Sequence, residues 1–127
     1  MDKEAYDRGM KMRRAVLGDA YVDRSITQVD EFAKPLQDLI IQYCWGEIWS
    51  RPGLDLKTRS MLNIAMLAAL NRSHELKLHV QGALRNGVSK QEIAEIILQA
   101  GFYCGGPAAL EATRVAREAI KEMSAAT

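Results

Sequence analysis

The sequence predicts an all-α domain of six or seven helices. Apolar residues recur at three- and four-residue steps along most of the 127 positions. No stretch keeps the two-residue alternation of a half-buried strand, and helix start and stop signals follow one another in order. A chain of this length fits one domain, spanning residues 1–127. No repeat period stands out.

Asp2 caps a first helix whose apolar side includes Tyr6, Met10, Ala15 and Leu17, with Gly18 as its stop. A polar connection, Asp19 to Gln28, is expected next. A second helix then places Phe32, Leu36, Leu39, Ile40, Tyr43 and Cys44 on one face, its regular part starting near Pro35. Pro52-Gly53 breaks the chain after Trp49. Asp55 is a good N-cap for a helix from Leu56 to Leu70 that is apolar around most of its circumference and so belongs at the centre of a helical packing. Asn71-Arg72-Ser73 interrupts it, and Ser73 is expected to cap a helix through about Arg85 that Asn86-Gly87 ends. Ser89 and Glu92 form a capping box for a helix carrying Ile93, Ile96, Ile97 and Ala100. Gly105-Gly106-Pro107 closes that helix and opens the last one, which runs to about Met123.

Composition narrows the function. Formal net charge is +1 with acids and bases interspersed, which leaves no electrostatic footprint for nucleic acid or an anionic membrane. No apolar run approaches the roughly 18 residues of a spanning helix. The charged N-terminus is unlike a secretory signal, so a cytoplasmic location is expected. Cys44 and Cys104, the only cysteines, sit in apolar stretches and are expected as two buried, reduced thiols.

Both histidines fall in the segment from Asn71 to His79. Glu75 and His79 are four residues apart and share a helix face, where the carboxylate can hold and polarise the imidazole for acid–base work. Such a pair is also a common feature of ordinary helix surfaces. His74 and His79 lie five apart, out of register for a shared metal, and two ligands are too few for a catalytic zinc. No metal is expected. A second cluster, Trp45, Glu47, Trp49, Arg51 and Arg59, reads either as a grip for an anionic, partly apolar molecule or as packed tryptophans beside solvated arginines. The run Phe102 to Pro107, which includes Tyr103, reads foremost as a tight interhelical corner, the alternative being an anion site at the N–H groups its glycines expose before the last helix.

Together these segments resemble the carboxymuconolactone decarboxylase family. The residues that carry the resemblance are Trp45 to Leu54, Thr58-Arg59-Ser60, Ala69 to Arg72, Glu75-Leu76, His79, Asn86-Gly87-Val88, Glu92-Ile93 and Tyr103-Cys104-Gly105. Tyr6-Asp7, Gly9-Met10 and Arg13 to Gly18 add to them. The resemblance implies an orthogonal helical fold of the alkyl hydroperoxidase D-like type, assembled as a homotrimer or homohexamer. The redox branch of that fold uses a CxxC pair and a histidine on one helix. Aligned on His79, Arg72 and Glu75 fall where those cysteines would be, so thiol chemistry is not expected.

The implied activity is loss of CO2 from 4-carboxymuconolactone to give 3-oxoadipate enol-lactone, a step of protocatechuate breakdown by the β-ketoadipate route. No cofactor is implied, because the leaving carboxylate is conjugated to the lactone carbonyl and the substrate carries its own electron sink. On this reading His79 protonates carbon and Glu75 orients and charges His79. Arg51 and Arg59 hold carboxylate or enolate oxygen, Trp49 and Tyr103 wall the site, and Glu47 is a second acid–base candidate. The alternative is a related enzyme acting on another small lactone or keto acid, or a peroxidase-like antioxidant protein.

Overall fold

A computed structural model describes residues 1–126, and all regular structure among them is helical. The contacts group the chain into two compact units, Met1–Asp55 and the remainder from Leu56 onward.

In the first unit, α1 (Lys3–Leu17) starts at Asp2, whose side chain accepts from the Ala5 N–H, and stops at Gly18 with φ 89°. The segment expected as a polar connection is a helix, α2 (Asp19–Gln28). Val22 is its fully buried residue, Arg14 of α1 pairs with its Asp19 and Asp23 at 3.1 and 2.8 Å, and the Ser25 and Thr27 hydroxyls donate back to carbonyls of the preceding turn.

Helix α3 (Lys34–Leu39) begins beside Pro35 as expected, then continues without a break into a π-helical segment, Ile40–Ile48. The face expected to be buried is not the one the structure buries. Phe32, Leu36, Leu39, Ile40 and Tyr43 are exposed, Phe32 at 95%. The buried positions are instead Ile41, Gln42, Trp45, Gly46 and Trp49. Hydrogen bonds here reach back five residues, as from the Trp49 N–H to the Cys44 carbonyl, and the inward stripe steps by four, through Ile41, Trp45 and Trp49 and through Gln42 and Gly46.

Helix α1 lies against the π segment at Gly9 and Gly46. A Cβ on Gly9 would overlap the Ile41 carbonyl oxygen, and one on Gly46 would overlap the Ala5 carbonyl oxygen. Arg8 spans the same seam, donating from Nε to the Gly46 carbonyl at 2.8 Å.

In the second unit, α4 (Leu56–Ala69), α5 (Ser73–Arg85), α6 (Lys90–Cys104) and α7 (Gly106–Ala126) enclose one core. Ile64, Leu76, Val80, Ile93, Ile97 and Val115 fill it. Helix α4 packs against all three others, the central place its apolar sequence predicts. One of its sides is nevertheless uncovered: Leu62 and Met66, with Leu70 just past its end, are exposed at four-residue steps.

Asn71 turns the chain between α4 and α5 at φ 57°, a left-handed conformation that asparagine tolerates. Ser73 does not cap α5 as expected. Arg72 holds the cap position, and the Ser73 hydroxyl donates to Glu111 on α7 at 2.7 Å. The capping box at Ser89 forms with both of its bonds, at 2.9 and 3.0 Å.

Candidate functional site

The residues singled out in the sequence fall into two groups, one in each unit. Glu47, Trp49 and Arg51 belong to the first. Trp45 and Trp49 stack with ring centroids 5.0 Å apart, and each is only 4% exposed. Of the two roles open to the tryptophans, packing is the one this geometry displays, adding about 0.5–1.5 kcal/mol beyond the area buried. Glu47 pairs with Arg8 at 3.2 Å on the surface, and Arg51 is exposed.

The second group is built on an antiparallel hairpin. Asn86 Nδ2 donates to Ser60 Oγ at 2.9 Å and pins the end of α5 to the start of α4. One turn further along the same seam, Asn63 Nδ2 lies 3.3 Å from His79 Nδ1. Arg59 lies four residues before Asn63, so the two share one ridge of α4.

His79 is largely buried, and burial alone pushes its pKa down to about 4. The ring is therefore neutral at physiological pH. The expected contact between Glu75 and His79 is not formed here. Glu75 is exposed, makes no hydrogen bond to the ring, and does not figure among the causes of the ring's shift. Sharing a helix ridge brings two Cα atoms close but does not oblige the side chains to meet. The facing helix brings Asn63 to the ring.

Tyr103 is 85% exposed. It lines an open groove of about 520 Å³ with Thr58, Met61, Leu62 and Ala65 of α4. Met61 and Asn63 are two residues apart, about 200° around the helix. The Tyr103 groove and the Asn63–His79 contact thus lie on opposite sides of α4, and Tyr103 does not wall His79.

Neither cysteine is on the helix of His79, and both are free thiols. Cys44 is half-buried, which raises its pKa, but Cys104 is exposed, contrary to the expected burial. Among the described residues no helix is long and apolar enough to cross a membrane. Sequence reasoning missed Asn63. Its only signal is a lone amide between Leu62 and Ile64 in an otherwise apolar stretch.

Comparison with known proteins places this hairpin in a lineage. The model of the carboxymuconolactone decarboxylase family matches residues 34–118, across both units. A 4-carboxymuconolactone decarboxylase of Acinetobacter baylyi is 41% identical over 125 residues, covering 98% of this chain and 93% of that protein. A nitrosuccinic acid decarboxylase of Metarhizium robertsii is 40% identical over 123 residues, covering 97% and 86%. A 4-carboxymuconolactone decarboxylase of Pseudomonas putida is 44% identical over 46 residues, covering 36% of this chain and 96% of that one. On a match of that breadth, the chain belongs to the carboxymuconolactone decarboxylase family.

Proposed function

We propose that this chain is a carboxy-lyase that converts 4-carboxymuconolactone to 3-oxoadipate enol-lactone without a cofactor, in the cytoplasm. The observation that carries the reading is 41% identity over 98% of the chain to a protein of that activity. The chemistry suits what α4 and α5 hold. As the C–C bond to the carboxylate breaks, its electron pair runs through the ring double bond into the lactone carbonyl, and CO2 departs. The need is then for anchors on carboxylate, a hydrogen bond to the oxygen that gains charge, and a proton for carbon.

A neutral, largely buried imidazole suits the second need. It donates a hydrogen bond without first surrendering a charge, and its low pKa keeps it uncharged until the oxyanion forms. In this reading His79 serves the developing dienolate oxygen. Arg59, on the ridge of Asn63, holds a carboxylate. Glu75, exposed one turn before His79, relays a solvent proton to carbon. Roles for Arg51, Trp49, Glu47 and Tyr103 in substrate binding are inferred from the chemistry of those side chains, and the family pattern supplies only the matching positions.

A second substrate is favoured by one observation, the 40% identity to a nitrosuccinic acid decarboxylase. That acid and the lactone share a logic: two carboxylates, one on a carbon whose electrons can drain into a carbonyl or a nitro group. Assaying CO2 release from each, without added metal or cofactor, separates them. The lactone is expected to turn over with the higher kcat/KM, and preference for nitrosuccinate would replace the substrate assigned here.

The stripe of Leu62, Met66 and Leu70 and the exposed Phe102 leave apolar surface that a folded chain usually covers. Assembly into homotrimers or homohexamers accounts for it. Light scattering is expected to give three or six chain masses, and a single chain mass would refute the assembly.

A further inference from the structure

We infer that Asn63 is the positioning residue of His79, and that its amide holds the imidazole as the tautomer protonated on Nε2. The argument rests on one contact and on donor inventory. An amide nitrogen donates and never accepts, so Asn63 Nδ2 at 3.3 Å from Nδ1 requires that Nδ1 present its lone pair. In a neutral ring the single proton is then on Nε2. The functional consequence rests on the reading above: the N–H offered to a substrate oxygen is that of Nε2, and its direction is set from α4.

Several charged groups of α5 and α7 have engagements of their own. On α5, Lys77 is two residues from His79, about 200° around the helix, and it engages Glu118 and Glu122 of α7 at 3.3 and 2.7 Å. Glu111 of α7 is held by Arg114 and by the Ser73 hydroxyl. The acids of α7 therefore answer other residues of α5. Glu75 on α5 is exposed, and Arg59 is the charged group on the Asn63 ridge of α4. The polar side chain that α4 brings to Nδ1 is an uncharged amide, which orients the ring without charging it.

Nitrogen NMR of the imidazole tests this in the folded protein. His74, the other histidine, is exposed and plays no part in the proposed chemistry, so His74→Gln leaves one ring to read. At pH 7 the wild-type ring is expected to show a bare Nδ1 and a protonated Nε2. A proton on Nδ1 would mean that the Asn63 carbonyl accepts there, and would overturn the inference. Asn63→Asp sets a carboxylate against Nδ1 and should draw a proton to it, moving the ring's titration upward from about 4 by at least one pH unit. An unmoved titration would show that residue 63 does not face the ring.

Asn63→Ala is expected to lower kcat by about ten- to a hundredfold with KM within about twofold, the scale of losing an orienting partner. Wild-type kcat in that variant would remove the positioning role. The NMR readout does not depend on turnover, so it stands or falls apart from the assigned activity, which His79→Ala tests by itself.

Discussion

Replacing His79 with alanine lowers kcat for CO2 release by about 10²–10³-fold, the cost of deleting one donor aimed at a developing oxyanion. KM changes little, because the lost interaction strengthens only as charge develops. The pH profile separates this role from that of an imidazolium acid. A charged histidine with an ordinary pKa would show activity falling as pH rises through about 6.5. Burial holds His79 near 4, so no such limb is expected between pH 5.5 and 8. A clear loss of kcat across that window in the wild type, absent in His79→Ala, would restore the imidazolium.

The same burial links the ring to stability. Its folded pKa lies below the unfolded value of 6.5, so below that pH the unfolded chain binds a proton that the native ring refuses. The stabilisation is complete above pH 6.5 and drains away as pH falls toward 4. It amounts to about 3 kcal/mol over that interval. Urea titrations should find His79→Gln less sensitive to acid than the wild type.

Much of this architecture is legible in the sequence. The capping box at Ser89, the glycine stop at Gly18 and the proline near the start of α3 are local signals, decided within one turn of backbone, and each appears where expected. What failed depended on partners distant in sequence. The π-helical winding of Ile40–Ile48 re-aims every side chain in it, so a face counted at 3.6 residues per turn selected Tyr43 and missed Gln42. Helix α2 has one fully buried residue, too faint a stripe to distinguish from a polar linker.

At the candidate site the structure shows a contact to His79 that the sequence did not anticipate. An i, i+4 carboxylate can be read from spacing. An amide sixteen residues away, on the facing helix, cannot. Arg59 shares the Asn63 ridge, whereas Tyr103 lies around the far side of α4, a distinction that needs the helices' mutual rotation.

Substituting Gly9 with alanine should destabilise the first unit by about 3–4 kcal/mol, the upper range for forcing extra volume into a packed seam. The added Cβ meets the Ile41 carbonyl oxygen and, at 2.8 Å, the Gly46 nitrogen. Both are backbone atoms, so no flexible side chain can swing aside. Helix α1 must therefore lift off the π segment, breaking the 2.8 Å bond from Arg8 to the Gly46 carbonyl. Gly46→Ala strikes the same seam from the other side, against the Ala5 carbonyl, and should cost a similar amount. Because both changes open one contact, the double variant should lose much less than the sum. Gly53→Ala is the control, since nothing lies within 4 Å of its Cβ and a change within about 0.5 kcal/mol is expected. A fall in Tm of about 15 °C or more is the corresponding readout for Gly9→Ala. Tm values for Gly9→Ala and Gly53→Ala that matched would show that α1 does not approach the π segment this closely.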